Sequence, residues 1–404
     1  MGEARLFLNG RVELHHGDCL AVLDTLPENS VDSVVCDPPY HLASIVKRFG
    51  ANGAAAAQHG SDGLYSRASA GFMGKQWDGG DIAFRVETWA KVLRVLKPGA
   101  YILAFSSSRT FGRMSVAIED AGFITHPFIG WLFGQGFPKA HRVHVPGREG
   151  WRYGGQALKP ALEPIYMGQK PFSEKNGTMN VEYWGTGAVN IDGCLVGDNG
   201  GCAGAGAGAG AGAYIYVDGL NGAFAPRVPG RGRWPANVMH DGSPEVVAAF
   251  PDSDGQQGNV RGDEPSNLTN AVYGQFAGRP ASVARADCGS AARFFWSSKA
   301  GADDRLGSKH PTVKPLDLIQ ELARLITPPG GTVLDCFAGT GTTGEAAYRE
   351  GFSAILIERE AEYIADIERR MALVLAGRDE RARESVKARG LPVDAGPLFG
   401  GGGA

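Results

Sequence analysis

An α/β fold built on a parallel sheet is predicted, and three observations predict it. Residues 11–36 read as strand, helix, strand, a short βαβ unit. The same alternation returns near the other end, over 331–376. Between them, 173–290 lose long periodic elements and accumulate glycine, asparagine and proline. Two α/β segments thus flank an irregular insert, and they can complete one sheet together because sheet order need not follow chain order.

Each element has a local reason. Residues 11–16, RVELHH, alternate with the period of a strand. GDCLAVLDTLPENS puts Leu20, Leu23 and Leu26 on one helical face, and VDSVVCD is a second strand. Residues 41–80 are polar and glycine-rich, a predicted loop. ETWAKVLRVLKPG, 87–99, is a helix closed by Pro-Gly, AYILAF, 100–105, a buried strand, and 113–123 another helix. PFIGWLF, 127–133, and EPIYMGQK, 163–170, are further strands. The run AGAGAGAGAGA at 203–213 reads as a flexible low-complexity segment. Regular structure resumes at 292–300. It continues with a helix at 315–326, a strand and turn at 331–339, a helix at 342–351, a strand at 353–360 and a helix at 361–376. The tail, 377–404, is charged and then glycine-rich, and is expected to be disordered.

The 404 residues suffice for one large or two ordinary domains, with 43% hydrophobic and 21% charged residues. The 60 glycines predict long glycine-rich loops. A formal net charge of −3 gives no bulk support to nucleic-acid binding, so any basic surface must be local. The six cysteines form no CxxC pair and read as reduced thiols, with no metal site. No signal peptide or membrane-spanning apolar run is visible, which predicts a cytoplasmic protein.

Two short stretches carry the chemistry. In SVVCDPPYHL a buried-looking strand runs into Asp37, Pro38, Pro39 and Tyr40. Prolines cannot donate to a ladder, so the strand ends in a stiff loop presenting a carboxylate and a flat ring, suited to a flat, polar ligand. In DCFAGTGTTG, Gly339, Gly341 and Gly344 form GxGxxG between a strand and a helix, with Glu358 nineteen residues beyond Gly339 where a ribose-binding acid is expected. The pattern alone does not choose between a nicotinamide dinucleotide and S-adenosylmethionine. Asp335, at the strand's end, would repel a pyrophosphate at the helix N-terminus and would suit a cationic amino group.

With these residues the chain resembles the β group of amino-directed DNA methyltransferases, and as a whole looks similar to their phage- and prophage-associated members. Asp335-x-Phe337-x-Gly339-x-Gly341-Thr342 resembles the family's cofactor motif, and Asp37-Pro38-Pro39-Tyr40 its catalytic tetrapeptide. HPTVKP, 310–315, resembles the segment before the cofactor motif, and the order of motifs matches as well. The resemblance implies a doubly wound, mostly parallel sheet of the S-adenosylmethionine-dependent methyltransferase type, with one antiparallel strand. It divides the chain into a catalytic part at 1–172, an inserted target-recognition region at 173–290, a cofactor-binding part at 291–376 and a tail.

The resemblance also implies roles. Asp37 and the Pro38 carbonyl would accept the hydrogens of an exocyclic amine, Pro39 would stiffen the loop, and Tyr40 would stack on a base flipped from duplex DNA. S-adenosylmethionine would be held by Asp18, Thr312, Lys314, Asp335, Phe337, Gly339, Gly341, Thr342 and Glu358. Glu163 and Trp131 would wall the base pocket, where the family closes the site with an acid and a distant lysine. Apart from the resemblance, Arg227, Arg231 and Arg233, clustered beside Trp234, look like a phosphate-contacting loop, with a solvated glycine-rich loop as the alternative. Asp at the head of the tetrapeptide favours adenine N6, with cytosine N4 the alternative. Cytosine C5 is disfavoured because no Pro-Cys dipeptide is present. Double-stranded DNA is the expected partner, while a homodimer and a restriction endonuclease partner stay open. A nicotinamide oxidoreductase is disfavoured by Asp335 and the Asp-Pro-Pro-Tyr loop, and an inactive DNA-binding protein by the intact tetrapeptide. An RNA or protein-glutamine methyltransferase is disfavoured by the large insert and the motif order.

Overall fold

The computed structural model describes residues 4–40, 81–197, 233–254, 258, 261, 288–298, 302–308, 310 and 312–388. The expectations for 41–80, the Gly-Ala run, Arg227, Arg231 and 389–404 lie outside the described residues. Two compact units are present. The first comprises Met1–Trp131, Leu162–Gly193 and Ser298–Ala404, and the second Leu132–Ala161 and Cys194–Ser297.

The first unit is the predicted α/β sheet. In chain order it holds β1 (Arg5–Phe7), β2 (Val12–His16), α1 (Cys19–Leu23), β3 (Val31–Cys36), α2 (Val86–Val95), β4 (Leu96–Phe105), α3 (Phe111–Asp120) and β5 (Ile124–Leu132). The second unit contributes β6 (Lys139–Arg142) and β7 (Arg152–Gln156), an antiparallel pair. The first unit resumes with β8 (Leu162–Gln169) and α4 (Gly177–Trp184). In the second unit follow β9 (Val238–His240), α5 (Pro244–Ala248) and β10 (Trp296–Ser297), with β9 and β10 parallel. The first unit ends with α6 (Leu316–Ile326), β11 (Thr332–Asp335), α7 (Thr342–Arg349), β12 (Ser353–Glu358), α8 (Ala361–Ala372) and α9 (Arg378–Ala388).

The first unit's strands lie in the order β1-β2-β12-β11-β3-β4-β8-β5. The pairings β2–β12, β12–β11, β11–β3 and β3–β4 are parallel, and β4–β8 and the edge pair β1–β2 antiparallel. All six residues of β3 are buried, which is why it reads as a near-continuous run rather than an alternation. Its buried Asp32 pairs with Lys97 at 2.6 Å and accepts from the Thr332 N–H at 2.8 Å, so the polar group is satisfied and β3 is tied to the start of β11. The core beneath carries Val22, Leu23, Val34, Trp89, Val92, Ile102, Ile118 and Leu334.

Four expectations need correction. The helix expected over 87–99 stops at Val95, because Pro98 pushes Lys97 out of helical conformation and β4 starts at Leu96. The boundaries of the insert differ. α4 forms inside it, capped by the Asn176 side chain and ended by Gly185 at φ +78°. The buried Asn180 donates to the carbonyls of Pro98 and Thr186, which fixes α4 to the first unit. Residues 132–161, by contrast, belong to the second unit. The tail expected to be disordered from 377 contains α9. Arg381 pairs with the fully buried Glu345 of α7 at 2.8 Å and donates to the Leu373 carbonyl at 2.9 Å. Finally, Cys19, Cys36, Cys194 and Cys336 are free thiols but Cys288 is disulfide-bonded, unlike the wholly reduced set expected.

Candidate active site

β11 and β3 are neighbouring parallel strands. β11 leads through α7 to β12 on one side, and β3 through α2 to β4 on the other. Chain direction across the sheet reverses between them, and a crevice opens beyond the carboxyl ends of such a strand pair. Asp37-Pro38-Pro39-Tyr40 leaves the end of β3, and the glycine turn leaves the end of β11.

The glycine turn is built for close approach. Gly339 and Gly341 have φ +53° and +75°, a region that side chains other than glycine rarely occupy. A β-carbon on Gly344 would sit 2.7 Å from Leu356 Cδ1, so the third glycine lets α7 lie directly on β12. Asp335 is buried and accepts from the Phe337 N–H at 3.0 Å and from Thr343 Oγ1 at 2.6 Å. Glu358 accepts from the N–H groups of Gly339 and Glu360, each at 2.8 Å. Burial raises Asp335 from 3.8 to about 7 against these hydrogen bonds, and Asp37 and Glu358 push in the same upward direction. Burial likewise lifts Glu358 from 4.5 to about 7. The turn therefore concentrates carboxylates whose ionisation a cation would relieve.

Around Tyr40 the geometry is tighter than the sequence suggests. The Tyr40 hydroxyl lies 2.7 Å from Asp37 Oδ1 and contacts Glu163 Oε1. Lys314 Nζ donates to the same hydroxyl at 3.1 Å, pairs with Asp37 Oδ2 at 2.9 Å and with Glu163 Oε1 at 3.0 Å. The ammonium also lies 4.7 Å from the Phe105 ring centroid. Burial, and then the charges of Asp37 and Glu163, hold the Tyr40 phenol well above its usual value, so it keeps its proton. Burial works against charge on Lys314, but Asp37 and Glu163 outweigh it and raise its pKa. The phenol has one hydrogen for two carboxylates. Two carboxylates facing one ammonium leave the cluster net negative.

The structure thus brings Asp37, Tyr40, Glu163 and Lys314 together. Lys314, expected at the cofactor's methionine end, lies with its Nζ against Asp37 and Glu163. Pro38 is buried and Pro39 partly so. Asp18 caps α1 with one oxygen, accepting from the Leu20 and Ala21 N–H groups at 3.0 and 3.3 Å. Phe337 packs against the core. Thr342 starts α7. The Thr312 N–H donates to His310 Nδ1 at 3.3 Å, and the buried His310 ring stands against Tyr363 with centroids 4.5 Å apart. Trp131 is partly buried near the end of β5. In the second unit, Arg233 pairs its backbone with Val196 and stacks its guanidinium 4.6 Å over the Phe294 ring. Phe105 and Thr343 went unnoticed in the sequence. Phe105 ends an apolar run like any core residue, whereas Thr343 stands eight residues after Asp335, across the glycine turn that brings the two together.

Among the described residues no group of His, Cys, Asp or Glu could hold a metal ion, and no helix is long and apolar enough to cross a membrane.

Residues 279–369 match the N6_N4_Mtase family, described as DNA methylase. That stretch contains the glycine turn, Lys314 and Glu358. Over 60 residues the chain is 48% identical to the type II methyltransferase M.BglI of Bacillus subtilis, covering 15% of this chain and 17% of that protein's length. Two solved structures are similar at lower identity. The M1.HpyAVI–SAM complex is 15% identical with a TM-score of 0.40, covering 89% of this chain and 98% of that one. The PvuII DNA methyltransferase (cytosine-N4-specific) is 14% identical with a TM-score of 0.43, covering 95% and 94%.

Proposed function

We propose that the chain is an S-adenosylmethionine-dependent DNA methyltransferase acting on the exocyclic N6 amine of adenine. The observation that carries this reading is the departure of the Asp37–Tyr40 loop and the glycine turn from neighbouring parallel strands, into one crevice. The DNA-methylase match over 279–369 supports it, and Asp37 at the head of the tetrapeptide supports adenine N6 over cytosine N4.

The residues present fit the cofactor. Asp335 would face its amino group, Glu358 the ribose hydroxyls and Asp18 the adenine, with Gly339 and Gly341 allowing close backbone approach and Thr312, Phe337 and Thr342 nearby. When bound, S-adenosylmethionine supplies an electrophilic sulfonium methyl group. The chain's task is to hold an amine in line with it. Asp37 and the Pro38 carbonyl accept the amine's two hydrogens, which draws the nitrogen lone pair out of the ring. Lys314 and Tyr40 fix the Asp37 carboxylate from its two oxygens, so little reorganisation remains when the amine arrives. Glu163 shares that lysine, and Trp131 would flank the base.

Unmethylated duplex DNA incubated with the protein and labelled cofactor, then mapped by single-molecule sequencing, tests this reading. N6-methyladenine supports it, N4-methylcytosine moves the target atom, and no transferred methyl group overturns it.

Two expectations arise here. Tyr40→Phe keeps a stacking ring but loses every hydroxyl contact, so it should bind DNA like the parent and transfer methyl roughly 10-fold more slowly. Tyr40→Ala should lose DNA capture as well. Equal single-turnover losses in the two would assign the residue's role to the hydroxyl alone. The second expectation concerns pH. Without a cation, Asp335 and Glu358 favour the protonated form. The stability they add is complete below about pH 4 and lost as pH rises through about 7. A bound cation reverses this, so cofactor affinity should climb from about pH 6 to about pH 8 with proton release on binding. Calorimetry in buffers of different ionisation heat would show it, and a flat profile would contradict the assignment of Asp335.

A further inference from the structure

The second unit contains a feature that the roles above do not use. β6 and β7 form a two-stranded ribbon, and almost every residue from Phe137 to Lys159 with a described environment is exposed. A lone two-stranded hairpin is marginal in water unless one face is covered. This one leaves large apolar groups uncovered, with Phe137 80%, Trp151 61% and Tyr153 54% exposed.

Its charge is one-sided. Lys139, Arg142, Arg148, Arg152 and Lys159, with His141 and His144, face a single acid, Glu149, in a chain whose net charge is −3. Glu149, itself exposed, accepts from the Gly147 N–H at 2.8 Å. Lys159 pairs with Glu245. Among the described residues no ion pair holds Arg142, Arg148 or Arg152. Arg142 and Arg152 stand directly opposite each other across the ribbon, a like-charge pairing that destabilises an isolated hairpin. Arg152 Nη1 donates only to backbone carbonyls, of Glu149 and Trp151. The Arg148 guanidinium lies 4.9 Å over the Trp151 ring, while the His141 and Tyr153 rings meet at a tilt with centroids 5.4 Å apart.

We propose that the β6–β7 ribbon is a duplex-DNA-binding surface, with Arg142, Arg148 and Arg152 on phosphates and Trp151 beside them. The proposal rests on the DNA reading above and deepens it. The major groove admits a two-stranded ribbon, and phosphates lining it would neutralise the facing arginines that otherwise repel. The ribbon lies outside 173–290, so part of the DNA contact precedes the region expected to recognise the target. Arg233, stacked on Phe294, is built into its own unit, whereas these three arginines are presented outward.

The test measures anisotropy of a fluorescein-labelled mixed-sequence duplex across a salt series. The proteins are the parent, the triple variant Arg142→Ala/Arg148→Ala/Arg152→Ala, the triple Arg→Lys variant and Trp151→Ala. The alanine triple should bind at least 10-fold more weakly, with a salt slope smaller by about 3. The lysine triple should restore most of the slope, and Trp151→Ala should weaken binding at unchanged slope. Melting temperature and S-adenosylmethionine affinity should stay at parent values. A folded alanine triple with parent affinity and slope overturns the ribbon's role while leaving the methyltransferase reading intact. A parent that binds no duplex overturns both. If the alanine triple misfolds, a lysine triple that folds but loses affinity as far as Trp151→Ala also counts against phosphate contact.

Discussion

Asp37→Ala should lower the single-turnover rate of methyl transfer about 10²–10³-fold while S-adenosylmethionine binds as in the parent. The carboxylate lies partly buried at the end of β3, its oxygens held by Tyr40 at 2.7 Å and by Lys314 at 2.9 Å. An acceptor so fixed stabilises the amine most as positive charge develops on it, which is in the transition state rather than in the bound complex. Glu163 and Tyr40 still accept from Lys314 in the variant, so the ammonium is not stranded. Asp37→Asn provides the comparison, since it keeps an acceptor oxygen but loses the charge. Both rates are measured with labelled cofactor and enzyme in excess. A parent-like rate for Asp37→Ala would remove Asp37 from the chemistry.

Gly339→Val should abolish measurable S-adenosylmethionine binding. The position has φ +53°, where a β-branched residue is strongly disfavoured. Its N–H donates to Glu358 at 2.8 Å, so a shift of backbone there also releases the acid expected at the ribose. The nearest atom to the added β-carbon would be His310 Nε2, at 3.4 Å, an ordinary van der Waals contact. Strain in the turn, more than collision, is the expected cause. Gly339→Ala separates the two, because alanine tolerates φ > 0 at a cost of about 1–2 kcal/mol and should bind weakly rather than not at all. Calorimetric binding by the valine variant as tight as the parent's would show that this turn does not hold the cofactor.

Much of the first unit was legible because its signals are local. A strand buried on both faces, such as β3, carries its own apolar run, and GxGxxG with Asp335 and Glu358 states a strand, a turn and a helix within about two dozen residues. Asp37 and Tyr40 stood out for the same reason. The partners of Lys314 are spread through the chain, and no spacing rule joins residue 314 to residues 37 and 163. α9 was missed for a related cause. RDERARESVKA has the composition of a solvated tail, and only Glu345, fully buried and already paired with Arg370 at 2.8 Å, turns Arg381 into an anchor. The β6–β7 ribbon escaped notice because a whole-chain charge near zero hides a basic stretch that acids elsewhere balance.

The strand order also governs how the first unit can be assembled. Residues 12–36 furnish β2 and β3, yet these strands never touch, because β12 and β11 lie between them. During synthesis both flanks of the sheet emerge long before its centre, and each waits with an unpaired inner edge. The first half of the chain holds β1-β2 and β3-β4-β8-β5 as two separate pieces, and the crevice that would seat the cofactor does not exist until β11 and β12 join them. Closure across so long a separation is entropically costly and slow, and the waiting edges are open to wrong pairing in the meantime. Folding and completion of the site are therefore one event, reached only when residues 332–358 have been made.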